Sequence, residues 1–119
     1  MIKNNFDWKH IYTQYEQVCV MLYYWLLNEK IPTDISGLTT PEQICRALEW
    51  TASAENLFLF FDKNEMLVGA YPISLNCFRA FAKSKTQGLF DNDSIDRQSA
   101  NSRAIIQGFS LMDEMLKTT

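Results

Sequence analysis

The sequence predicts a mainly α protein with one β-hairpin, an α+β chain of winged helix-turn-helix-like order. Three observations carry this reading. Residues 7 to 29 contain no Gly or Pro and place apolar side chains at helical spacing. Thr40-Pro41-Glu42-Gln43 is a helix start. Two apolar runs, Leu57 to Phe61 and Met66 to Tyr71, flank the polar Asp62-Lys-Asn-Glu65. A length of 119 residues suits a single domain, 1–119. Within it the reading expects a helix at 7–29, a winged-helix-like core at 31–74 and a helical C-terminal extension at 75–119.

The first helix is amphipathic early, with Trp8, Ile11, Tyr12, Tyr15, Val18 and Cys19 on one side. From Val18 to Leu27 the apolar residues surround the axis, so this part needs cover on every side. Pro32 ends the helix, because its ring cannot continue the ladder. Thr33 to Thr39 has room for one short turn around Ile35 and Leu38. In the next helix Thr40 is the N-cap, Pro41 the first residue and Gln43 the return partner of a capping box. Ile44, Ala47, Leu48 and Thr51 form its inward stripe, and it should fray near Ser53. Leu57–Phe61 and Met66–Tyr71 then read as hairpin strands joined by a four-residue loop, with Pro72 ending the second. Ser74 is read as the cap of a third helical stretch carrying Leu75, Phe78, Phe81 and Ala82. Gly88 to Asp96 is a polar loop, with Ser94 or Asp96 capping a last helix from Arg97 to Lys117. Gly108 weakens that helix by about 1 kcal/mol relative to alanine, so packing must offset it.

Composition limits the chemistry. Hydrophobic residues make up 47% and charged residues 21%, an ordinary globular balance. Lys plus Arg is 11 against 14 Asp plus Glu, for a net charge of -3, which excludes a strongly basic nucleic-acid coat protein. Cys19, Cys45 and Cys77 are widely spaced and odd in number, so neither a disulfide framework nor a zinc knuckle is expected. The N-terminal segment has no secretory h-region and no apolar run reaches the roughly 20 residues of a membrane helix. The expectation is a cytoplasmic protein with no membrane partner. A single histidine, His10, leaves no base for a nucleophilic cysteine. Asp91-Asn-Asp-Ser-Ile-Asp96 fails the calcium-loop pattern, with Ile95 at position 5 and Ser102 at position 12. No phosphate-binding glycine loop occurs. The reading is non-enzymatic, with no catalytic residue, no metal and no cofactor.

The segment Phe61-Asp-Lys-Asn-Glu-Met-Leu-Val-Gly-Ala-Tyr-Pro-Ile-Ser74 resembles the wing of the organomercurial (alkylmercury) lyase-like family. Ile31-Pro32 and the Thr40-Pro41-Glu42 start also resemble the N-terminal winged-helix domain of that family, over about residues 15 to 74. The resemblance implies a fold. The lyase chemistry belongs to a following domain with its own cysteine pattern, which the remaining residues do not match, so the activity is not expected here.

Two binding readings remain, beside a third in which the chain is an accessory or remnant of a lyase-like enzyme. A winged helix suggests DNA, and the candidate contacts are Arg46, Arg79, Lys83 and Lys85. The presumptive recognition helix, 41 to 55, holds Glu42, Glu49 and Glu55 against Arg46 alone, which opposes the phosphate attraction. The chain through Ile73 holds 5 basic and 9 acidic residues, so nucleic acid is disfavoured by local charge. The favoured reading is an interaction or regulatory module, a homo-oligomer or one docking a protein partner. Its candidate interface is Tyr24, Trp25, Ile105, Phe109, Met112 and Leu116 on the first and last helices.

Overall fold

The protein is seen here in a computed structural model that describes residues 3–29, 40–90 and 96–117. It is a mainly helical α+β chain with an antiparallel hairpin and a long C-terminal helix. In order the elements are α1 (Trp8–Gln14), α2 (Glu16–Glu29), α3 (Pro41–Thr51), α4 (Ala54–Lys63), β1 (Leu67–Ser74), β2 (Cys77–Lys83), β3 (Gly88–Phe90) and α5 (Arg97–Lys117). They group into two compact units, Met1–Asn56 and Leu57–Thr119, where the sequence reading draws one domain. The short turn expected at Thr33–Thr39, the stop at Pro32 and the loop from Asp91 to Ile95 lie outside the described residues.

In the first unit α1, α2 and α3 pack on one another. The single helix expected over 7–29 is two, parted at Tyr15 (φ -131°, ψ 53°). Tyr15 keeps its bonds, donating to the Ile11 carbonyl at 2.8 Å and accepting from the Cys19 N–H at 3.0 Å. The break therefore needs no Gly, Pro or cap, and leaves no mark in the sequence. Its use is packing. An 11-residue α3 is about 16 Å long, whereas a straight rod from 8 to 29 would run about 33 Å and outreach it. Bent, both segments lie on α3, and Trp8, Ile11, Val18, Cys19, Leu22 and Leu26 are buried. α3 starts as its capping box dictates: the Gln43 N–H donates to Thr40 Oγ1 at 3.2 Å, and the Thr40 N–H donates to Gln43 Oε1 at 3.0 Å. It ends at Thr51, close to the expected fraying point.

The hairpin exists, but further along the chain than expected. Leu57–Phe61 is not a strand; it belongs to α4, which buries Leu57, Phe60 and Phe61 at i, i+3 and i+4. A short apolar run fits a strand and a buried helix alike. Asp62 to Glu65 is the end of α4 rather than a hairpin loop. Glu65 is left-handed (φ 59°), its N–H donates to the Asp62 carbonyl, and the Met66 N–H donates to the Phe61 carbonyl at 3.0 Å. That is a Schellman ending with glutamate in the position usually held by glycine.

The stretch read as a third helix is β2. β1 and β2 pair antiparallel from Leu67↔Lys83 to Pro72↔Phe78, then shift register before Ser74↔Cys77. The turn is Leu75-Asn76, with Asn76 at φ 60°, a conformation asparagine tolerates well. Gly88–Phe90, read as loop, is β3 and extends the sheet in the order β1-β2-β3. α5 packs on all three strands. It runs over the span expected for it, and Asp96 caps it by accepting from the Ser99 N–H at 2.7 Å.

Candidate functional site

The sheet has two unlike faces. Even-numbered β2 residues face α5: Ala80 and Ala82 are fully buried, and the Arg97 guanidinium lies 4.7 Å from the centre of the Phe78 ring. Val68, Ala70 and Pro72 are on that same face, opposite Ala82, Ala80 and Phe78. Small side chains on the strands allow the helix close approach. The other face carries Leu67, Gly69 and Tyr71 on β1 and Arg79, Phe81 and Lys83 on β2. Tyr71 and Phe81 touch there, with ring centroids 5.8 Å apart.

This second face is where large apolar side chains meet water. Leu67 is 62% exposed, Tyr71 37%, Ile73 39% and Leu75, at the turn, 92%. Antiparallel sheets often leave one face to solvent, but that face is normally polar. Here β1 and its turn carry no charge from Leu67 to Asn76. Leu67, Tyr71, Ile73 and Leu75 thus form an exposed apolar row on β1 and its turn, with Arg79 and Lys83 on the neighbouring strand.

The residues expected at an interface divide. Ile105, Phe109 and Met112 are core, at 0%, 0% and 3% exposure. Phe109 meets the ring of Phe61 edge-on at 5.6 Å. Their near-heptad spacing reflects burial against the chain's own sheet and α4, so the stripe is no docking surface. Tyr24 is half exposed, while Trp25 and Leu116 are intermediate. The structure thus leaves Tyr24 as the outward member of the set. The sequence reading places Leu75 and Phe78 on a helix, and so misses the exposed turn between β1 and β2. The alternation of Phe78, Ala80 and Ala82 with Arg79, Phe81 and Lys83 was the signal available for it.

The candidate cations divide between the two units. Lys85 pairs with Glu65 at 2.9 Å. Arg79 and Lys83 stand on β2 among the apolar residues of the open face. Arg46 lies in the other unit, in an open groove of about 640 Å³ between α1 and α3. Lys9, Tyr12, Glu42, Cys45 and Glu49 also line this groove. Opposite charges alternate along its walls, so it offers no single-sign field to an anion or a cation.

Nor does the groove hold a reactive group. Cys45 is buried, and its thiol points at the Trp8 carbonyl at 3.5 Å. Burial pushes this thiol up, and it pushes Cys19 up to about 12, so both are neutral thiols at physiological pH. His10 is exposed and its backbone N–H serves the cap of α1. Among the described residues no cluster of His, Cys, Asp or Glu is placed to hold a metal, and no helix is long and apolar enough to cross a membrane. No protein-family model, curated protein or solved structure matches the chain.

Proposed function

We propose that this protein is a non-enzymatic interaction module that works by self-association, through the uncovered face and edge of its antiparallel sheet. The observation behind this reading is the exposed apolar row Leu67, Tyr71, Ile73 and Leu75 on β1 and its turn. Burying such side chains is worth about 1.5–3 kcal/mol each before the entropy of association is subtracted. Helices followed by an antiparallel hairpin also support a winged-helix-like reading, in which the hairpin serves protein contact rather than DNA. Arg46 belongs to one unit and Arg79, Lys83 and Lys85 to the other, and with Lys85 tied to Glu65 these cations give the DNA reading no added weight.

Sedimentation velocity across a wide concentration range tests the proposal. The wild-type protein should shift from monomer towards dimer as concentration rises. Leu67→Asp should remain monomeric with unchanged circular dichroism, since that side chain is 62% exposed. A wild-type protein that stays monomeric throughout would refute self-association.

A further inference from the structure

We propose that β1 is a dimerisation edge: a second copy of this chain adds its own β1 antiparallel to it, in a register centred on Ala70. This rests on the self-association reading and specifies its geometry. β1 is the outermost strand of the order β1-β2-β3, eight residues long and without a charged side chain. Sheets normally protect their edges with short strands, charges, prolines or bulges. β3, at the opposite edge, is protected by being three residues long. β1 has only Pro72 and the register shift that follows it.

Pro72 reveals which backbone groups face outward. A hydrogen-bonded antiparallel pair exchanges two N–H···O bonds, and proline has no N–H. Pro72↔Phe78 is therefore a non-hydrogen-bonded pair. By alternation so are Ala70↔Ala80 and Val68↔Ala82. The amides of Val68 and Ala70 accordingly point away from β2, towards the open edge. Centred on Ala70, a second β1 exchanges two bonds between the Ala70 residues. Each Val68 N–H then donates to the Pro72 carbonyl of the other copy. Proline acts only as an acceptor in this register, and the donor it lacks leaves one Val68 carbonyl per copy to water.

Side chains fit the same register. On the open face Gly69 lies opposite Tyr71, a small residue beside a large one, and Leu67 lies opposite Ile73, the residue that the register shift leaves without a partner on β2. No charge faces its own copy, because Lys83 and Arg79 sit on β2, one strand away from the two-fold axis. The strand is thus complementary to itself in hydrogen bonding, in size and in charge, as an isologous contact requires. Eight residues span only about 27 Å. A contact one strand long and one strand wide is small beside the roughly 800 Å² per partner of a standard stable interface, so the association is reversible.

Cysteine cross-linking tests the register in a Cys77→Ser background, where the remaining Cys19 and Cys45 are buried. A mixture of Leu67→Cys and Ile73→Cys proteins should form a disulfide-linked dimer under mild oxidation. Either protein alone should not, since like positions would be six residues, about 20 Å, apart, and a disulfide needs Cα atoms within about 7 Å. Equal cross-linking by Leu67→Cys alone would overturn the register. A dimer in sedimentation that gives no mixed cross-link would overturn edge pairing and leave self-association standing. A protein that is monomeric at every concentration would overturn both.

Discussion

Asn4 shows how much one side chain can hold. Its amide donates to the carbonyls of Leu48 and Ala52, at 2.8 and 3.1 Å, and its backbone N–H donates to the Glu49 carbonyl. Its own Oδ1 accepts from the indole N–H of Trp8 at 2.7 Å. Asn4 thereby closes the C-terminal end of α3, whose last carbonyls lack helical partners, and satisfies the indole of a tryptophan that is 1% exposed. Asn4→Ala should cost about 2–3 kcal/mol, because it strands a buried donor as well as removing bonds. Urea denaturation would measure this, and a loss below about 0.5 kcal/mol would show that water replaces the side chain. Nothing in the sequence singled out Asn4. The carbonyls it binds lie 44 to 48 residues away, and the segment around it has no periodicity. The caps Thr40 and Asp96 were legible for the opposite reason, since their partners are three residues on.

The same contrast holds for whole elements. α3 and α5 were legible because each combines a local cap with a long apolar stripe. α4 and β2 were not, because a five-residue apolar run and a mixed Phe/Ala stretch satisfy both periodicities. β2 packs on α5, and Phe61 of α4 meets the same helix at Phe109. Along that helix Ala100, Ala104 and Gly108 are buried at intervals of four, a strip of small residues on its inward side. A Cβ placed on Gly108 would come within 2.7 Å of Phe61 Cζ and 3.0 Å of two further ring atoms. Phe61 is fully buried and in contact with the rings of Phe60 and Phe109, so it has no free direction in which to move. The sequence showed that Gly108 needs compensation, and Phe61 supplies it. Gly108→Ala should gain about 1 kcal/mol of helix propensity and lose about 1–3 to overpacking, a net destabilisation. A raised thermal midpoint would show that the ring pair yields.

At the scale of the molecule, charge separates the two binding readings. The chain carries a net -3, and several of its cations already have structural work. Lys85 is paired with Glu65, Lys117 with Asp113, Lys3 with Glu49, and Arg97 covers Phe78. Exposed pairs like these are worth at most about 1 kcal/mol each, so a phosphate could recruit Lys85 or Lys3 at low salt. The helix α3 is a different matter. α3 presents Glu42 and Glu49 beside Arg46 in one groove, so any phosphate approaching Arg46 meets two carboxylates. Counterion release makes duplex affinity grow with the number of phosphates neutralised, so a site with few cations binds weakly from the start and drops below detection as salt rises. The expected result is weak retention of duplex DNA at low ionic strength that disappears near physiological salt. Lys83→Ala should reduce it, and sequence should not affect it. Salt-resistant, sequence-dependent binding abolished by Arg46→Ala would show that α3 reads DNA despite its acidic flank. The proposed role of the hairpin would then pass from self-association to support of that helix.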